Sequence, residues 1–183
     1  MDDTYTTLAA PSSAVYTEKR SKFLAFALPV TSEAEVKEAL ARYQREYYDA
    51  RHVCYNDNGE PSGTAGKPIL GQINSLGLTD VLVVVVRYFG GIKLGAGGLT
   101  VAYKTAAREA LEAAEHVERT VDDTLVVTVP YTGLNEVMRV VKDMAPAVLE
   151  QGYSGMDCRM VLRLRRSLVA GLRARLEKID FLR

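Results

Sequence analysis

Six consecutive apolar residues, Val81-Leu82-Val83-Val84-Val85-Val86, constrain this chain more than any other stretch. Five of them are β-branched valines, whose stiff side chains suit a pleated strand better than a helix. A strand with one wet face alternates apolar and polar residues. This one does not alternate, so it reads as a central strand buried on both faces. It runs straight into a glycine-rich segment, Arg87-Tyr88-Phe89-Gly90-Gly91-Ile92-Lys93-Leu94-Gly95-Ala96-Gly97-Gly98.

The flanking segments supply partners for that strand. Residues 19–30 read as a second strand, with apolar bulk at Phe23, Leu24, Phe26 and Leu28. Ser32-Glu33-Ala34-Glu35 has the S-x-x-E form of a capping box. The helix it opens carries Val36, Leu40, Tyr43 and Tyr47 on one face. A short strand is expected over His52–Tyr55, then a turn at Asn56-Asp57-Asn58-Gly59, because Asn and Gly tolerate positive φ. A helix from about Lys67 has Pro68 in its first turn and Ile69, Leu70 and Ile73 as its apolar residues. An alanine-rich helix is expected over residues 98–116, with Leu99, Tyr103, Ala106 and Ala110 on one side.

A second start is marked by Asp122-Asp123. Leu125, Val127 and Val129 alternate along a strand that ends at Pro130, and Thr132 is placed to cap a helix bearing Leu134, Val137, Met138 and Val141. Strands over 147–153 and 158–164, joined by a Ser154-Gly155 turn, precede a last helix after Ser167. The order βαββα is that of a ferredoxin-like unit. The expected organisation is two domains, residues 1–118 and 119–183. No window is long and apolar enough for a membrane-spanning helix, and residues 1–7 lack the basic and apolar regions of a signal peptide. Two widely spaced cysteines fit reduced thiols, so a cytoplasmic location is expected.

Two glycine-rich segments carry the strongest functional signal. Gly59-Glu60-Pro61-Ser62-Gly63-Thr64-Ala65-Gly66 leads into Lys67 and a helix; the segment after Val86 leads into another. Helix N-termini expose unsatisfied N–H groups that hold anions. The expected phosphate-binding set is Arg51, His52, Ser62, Gly63, Thr64, Gly66, Lys67, Arg87, Lys93, Gly95, Gly97 and Gly98. Neither segment is a P-loop, since Lys67 is followed by Pro68. Neither is a dinucleotide fingerprint, since Gly95-x-Gly97 matches only its first half. The same glycines also serve where backbone approaches backbone closely.

Other constellations are weaker. His52 and Cys54 share a strand face, but zinc needs two further ligands and only His116 and Cys158 remain, so neither metal nor cofactor is expected. Glu60 with His52 is a weak catalytic candidate, as is a Cys54 nucleophile with His52 as base; a structural pairing of Glu60 with Lys67 or Arg87, or a helix cap, is favoured over the first, and a buried thiol over the second. Net charge is zero, yet residues 159–183 hold eight cations against Glu177 and Asp180. Arg159, Arg163 and Arg165 alternate along one strand face and are candidate RNA contacts, or else pair with acids of the N-terminal domain or are simply solvated.

Lys19-Arg20-Ser21-Lys22-Phe23, Ala50-Arg51-His52-Val53-Cys54, the Gly59–Gly66 segment followed by Lys67-Pro68-Ile69-Leu70, and Val83 to Gly98 together resemble the YigZ/IMPACT family, in its bacterial two-domain form. The resemblance implies an α+β protein: a ribosomal protein S5 domain 2-like N-terminal domain and a ferredoxin-like C-terminal domain akin to domain V of elongation factor G. It implies a translation-linked regulator that binds RNA or the ribosome, without enzymatic activity. The eukaryotic relative competes in the pathway of the kinase that senses uncharged tRNA. A proline-dipeptidase label circulates for some bacterial members, and this chain has no metal-ligand set to support it. Asn58 stands where the family usually has Asp, the loop between Tyr55 and Asp57 is short, and Val101 stands where Arg is expected; the lost charge weakens a nucleic-acid groove. Two alternatives stay open: an enzyme acting on a phosphorylated small molecule, with Glu60 as base and His52 as acid, and a protein-interaction module.

Overall fold

The structure is a computed structural model that describes residues 3–179. Its strands and helices, in chain order, are β1 (Thr4–Leu8), β2 (Ser12–Glu18), β3 (Ser21–Pro29), α1 (Glu33–Glu46), β4 (His52–Cys54), α2 (Gly66–Ser75), β5 (Val81–Tyr88), α3 (Gly95–Glu112), β6 (His116–Thr120), β7 (Asp122–Pro130), α4 (Leu134–Met144), β8 (Ala147–Ser154), β9 (Asp157–Arg165) and α5 (Arg166–Leu176). The fold is α+β. The chain divides into two compact units, one built on residues 6–118, the other on residues 119–179 together with residues 3–5. Among the described residues no helix is long and apolar enough to cross a membrane.

The first unit holds a four-stranded antiparallel sheet in the order β2-β3-β5-β4. β5 is central, and the residues of its valine run divide between two cores. Val83 and Val85 join Phe23, Ala25, Ala27 and Cys54 beneath α2 and α3. Leu82, Val84 and Val86 pack on the other side, with Val53, Phe26 and α1 residues Val36, Leu40, Tyr43 and Tyr47. Each such side chain taken out of water contributes about 1.5–3 kcal/mol. Ala102, Ala106, Ala107 and Ala110 are wholly buried, so α3 lies on the sheet with nothing larger than a methyl group in between at those positions. At the start of α1, Ser32 Oγ accepts from the Glu35 N–H, while Glu35 answers to Thr31 N–H at 2.7 Å rather than to Ser32.

The second unit is a three-stranded antiparallel sheet, β7-β9-β8, in the order βαββα. β9 is its middle strand. Cys158, Met160, Leu162 and Leu164 all point into a core with Val127, Val129, Val137, Val141, Leu172 and Leu176. Thr132 does not cap α4. It lies in a 3-10 turn, Tyr131–Gly133, and the helix starts after Gly133 without a side-chain cap. Asp3 explains why the first residues belong to this unit. Its carboxylate accepts from Arg165 Nε at 2.6 Å and from the Ser167 N–H at 2.9 Å, in the first turn of α5. Those bonds, Arg165 foremost, hold the Asp3 carboxyl well below the usual carboxylate range. Asp180 and Arg183, counted above in the basic C-terminal stretch, lie outside the described residues.

Candidate functional site

Strand register places the site. At the end of β5, Arg87 is paired with Phe23 of β3 on one side and His52 of β4 on the other. Arg87 therefore continues the inward face of Val83 and Val85, where a charge needs a partner. It has one. The Arg87 guanidinium meets the Glu60 carboxylate through Nη1, and both side chains are about 95% buried (5% and 4% exposed). Tyr103 of α3 donates its hydroxyl to the same carboxylate at 2.9 Å, and Cys54 Sγ lies 3.4 Å from that hydroxyl. His52 Nε2 is 3.8 Å from Glu60, while its Nδ1 donates to the Asn58 carbonyl at 3.2 Å. Burial pushes the Cys54 thiol up to about 11, and burial beside Cys54 and Glu60 pushes the Tyr103 phenol far above its ordinary value. Both groups stay protonated at neutral pH. Glu60, the catalytic candidate, is thus engaged as an internal ion-pair and hydrogen-bond partner. Arg87 Nε is buried and, among the described residues, has no hydrogen-bond partner.

The two glycine segments meet here in part. A cleft of about 420 Å³ is lined by Arg51, His52, Gly59, Glu60 and Pro61 from one side, and by Arg87, Phe89, Lys93, Leu94, Gly95 and Ala96 from the other. The Phe89 ring is 41% exposed, with the Arg51 and Arg87 guanidinium carbons 5.5 and 5.7 Å from its centroid. Such spacing suits cation–π contact. α3 begins at Gly95, three residues earlier than its alanine pattern suggests, and no side chain caps its N-terminus. Gly97 and Gly98 lie in its first turn, outside the cleft lining.

The first glycine segment requires a correction. The N–H groups of Gly63, Ala65 and Gly66 are already taken: Asp57 Oδ2 accepts from Gly63 at 2.6 Å, and Oδ1 from Ala65 at 3.1 Å and Gly66 at 2.9 Å. These bonds hold the Asp57 carboxyl below its ordinary value. The anion at the start of α2 is the protein's own, so Gly63 and Gly66 are not open to a phosphate. Thr64 is buried and donates inward to the Pro61 carbonyl at 2.6 Å. Gly66 is glycine for packing, since a Cβ there would sit 2.9 Å from Asn56 Cα. Ser62 is exposed and outside the cleft, and Lys67 lines a separate depression with Tyr55, Asn56 and Asp57. Of the expected set, the structure gathers Arg51, His52, Arg87, Lys93 and Gly95 in one cleft. Phe89 and Tyr103 were missed by the sequence reading. An aromatic ring directly before a glycine pair, and a lone tyrosine on an alanine face, were the available signals. Among the described residues no group of three or more His, Cys, Asp or Glu side chains is arranged to hold a metal.

Comparison with known proteins agrees with this geometry. Residues 19–111, just over half of the chain, match the Impact N-terminal domain. The chain belongs to the IMPACT family. It is similar to IMPACT family member YvyE of Bacillus subtilis, 34% identical over 149 residues, which cover 74% of this chain and 69% of that protein. A Haemophilus influenzae IMPACT family member is 33% identical over 164 residues, 78% of each chain. YigZ of Escherichia coli is 37% identical over 118 residues, 56% of this chain and 58% of that one. The fold is similar, with a TM-score of 0.73 and 27% identity, to a crystal structure of a hypothetical protein, over 98% of this chain and 94% of that one. The IMPACT match opens at Lys19, in the turn before β3, and closes at Leu111, near the end of α3, so it encloses the whole cleft.

The arginines of the second unit are placed differently. Arg159, Arg163 and Arg165 do line the open face of β9, as their alternation predicts. Each meets a carboxylate: Glu150 at 3.4 Å, Asp122 at 3.8 Å, and Asp3. Arg166 and Arg175 pair with Asp123 and Asp143. All of these acids belong to the second unit, not the first.

Proposed function

We propose that this IMPACT-family chain is a translation-linked regulator without catalytic activity, and that it binds RNA, free or in the ribosome, through the cleft between the two glycine segments. One observation carries this reading. The cleft places two cations that join no ion pair among the described residues, Arg51 and Lys93, beside a half-exposed aromatic ring, Phe89. Cations for phosphate and a ring for a base are what single-stranded nucleic acid needs from a protein surface. The uncapped start of α3 adds N–H donors at the same mouth. The engagement of Glu60 by Arg87 and Tyr103 counts against its role as the base in the enzymatic alternative.

The test is binding of a short oligo(U) RNA, followed by fluorescence anisotropy across a salt series. Removing Arg51 and Lys93 together (Arg51→Ala with Lys93→Ala) should lower the slope of log K against log salt by about 1.4, at roughly 0.7 per phosphate contact. Phe89→Ala should weaken binding by about 1–3 kcal/mol with the slope unchanged. RNA binding that is indifferent to all three substitutions removes the reading.

A further inference from the structure

Glu18 pairs with Ser21 across β2 and β3, so only Lys19 and Arg20 form the turn. A two-residue hairpin turn of this kind asks for positive φ at both positions, which is why Asn-Gly and Gly-Gly dominate there. Here two long cations take it, with φ of 44° and 67°. Residues with a Cβ are strained in that region. Among the described residues neither cation forms an ion pair with the seven-pair hairpin. Strain kept at a surface turn is a reason to look outward for its use.

The turn is fastened to the cleft. Gly90 follows Phe89 directly, and a Cβ on Gly90 would lie 2.0 Å from the Arg20 carbonyl carbon and 2.2 Å from its oxygen. Only glycine lets the two backbones touch. The Gly90 N–H also donates to Ser21 Oγ at 3.2 Å. Lys22 stands opposite Tyr88 in the β3–β5 register, on the α1 face of the sheet and away from the cleft, so the turn itself is what adjoins it. Lys19, Arg20 and Lys22 are exposed, and among the described residues none of them joins an ion pair. Their side chains only donate hydrogen bonds, which suits phosphate oxygens.

We propose that the Lys19–Arg20 turn is a second phosphate-contact point, over which a single-stranded RNA seated in the cleft continues. The inference rests on the cleft reading above and extends its footprint. A ring for a base at Phe89, followed at once by donor-only cations, favours a polynucleotide over an acidic peptide, which has nothing to stack.

The experiment uses the full chain with Lys19→Asn and Arg20→Gly, separately and together. Asn and Gly accept the left-handed backbone, so the hairpin is retained while the charge goes; thermal melting checks that the fold is intact. With an oligo(U) RNA of about 10 nucleotides, the double variant should bind at least about tenfold more weakly at low salt. Its salt slope should fall by about 1.4, two contacts at roughly 0.7 each. An unchanged affinity and slope in the double variant, while Arg51→Ala with Lys93→Ala does weaken binding, overturns the turn's role and leaves the cleft reading standing. Absence of RNA binding by the unaltered chain overturns both. Equal binding of poly-glutamate, lost in the same variants, overturns the choice of a phosphate polymer.

Discussion

The two units of this protein differ in how their clustered cations are partnered. In the second unit Arg159, Arg163, Arg165, Arg166 and Arg175 each face a carboxylate. In the first, Lys19, Arg20, Arg51 and Lys93 gather around one cleft and its adjoining turn without an ion pair among the described residues, while buried Arg87 is paired with Glu60 and exposed Arg108 with Glu112. Counting charges along the chain points to the C-terminal stretch as the basic surface. Pairing reverses that: a matched arginine presents a dipole to a ligand, and an unmatched lysine presents a charge. The comparison favours, for the proposed anion-binding surface, the unit whose sequence is the less conspicuously basic.

The contrast can be attacked first where the charge is buried. Glu60→Ala would leave Arg87 uncompensated in the core and should cost about 3–5 kcal/mol in urea unfolding. A loss below about 1 kcal/mol would mean that Arg87 is better solvated than its burial indicates. Gly90→Ala comes next, at about 1–3 kcal/mol, because its Cβ would run into Arg20 backbone rather than a movable side chain. It should also weaken RNA binding by disturbing the turn, an effect with no counterpart in the second unit.

Acid separates the two helix-capping carboxylates from the rest. Asp57 and Asp3 both have folded values depressed below the ordinary 3.8. Their stabilisation is present in full above that pH and is lost as pH falls from there through each folded value. Carboxyl carbon NMR titration should give midpoints below 3.8 for both; a midpoint at or above it for Asp57 would detach it from α2. The smallest effects belong to the exposed pairs. Glu150→Gln and Asp143→Asn should each change stability by about 0.5 kcal/mol or less.

Much of the fold was legible in residue patterns, and the reason is physical. The valine run could only be covered on both sides, and α1 declared itself by a cap and a four-three-four apolar spacing. β2 was not legible, because its inward residues are Ser12, Ala14, Tyr16 and Glu18, too polar to register as a strand face. β1 and β6 escaped for the same reason. The site was half legible. Glycines, Arg51 and Lys93 pointed to a basic cleft. That Asp57 would fill the helix start was hidden, because its partners lie six to nine residues on, beyond any local capping spacing. Glu60's partners, Arg87 and Tyr103, lie 27 and 43 residues away, and only the fold brings them together.

The turn at Lys19–Arg20 bears on how the chain folds as well as on what it binds. A hairpin closed by two residues has the shortest loop available and would ordinarily be an early nucleus. Two cations in left-handed backbone remove that advantage, at roughly 1–2 kcal/mol per residue. The contact that locks the turn, Gly90 against Arg20, exists only after β5 has arrived. The order of assembly should then be long-range first: β3 on β5, and β2 afterwards. Kinetic φ-values should be high at Ala25 and Val85 and near zero at Ala14 and Val15, and the reverse pattern would place the hairpin first. A strand that docks last is also the one that leaves first, so the β2 edge of the sheet, across from β4, would be the part of this domain that opens and closes while the rest stays folded.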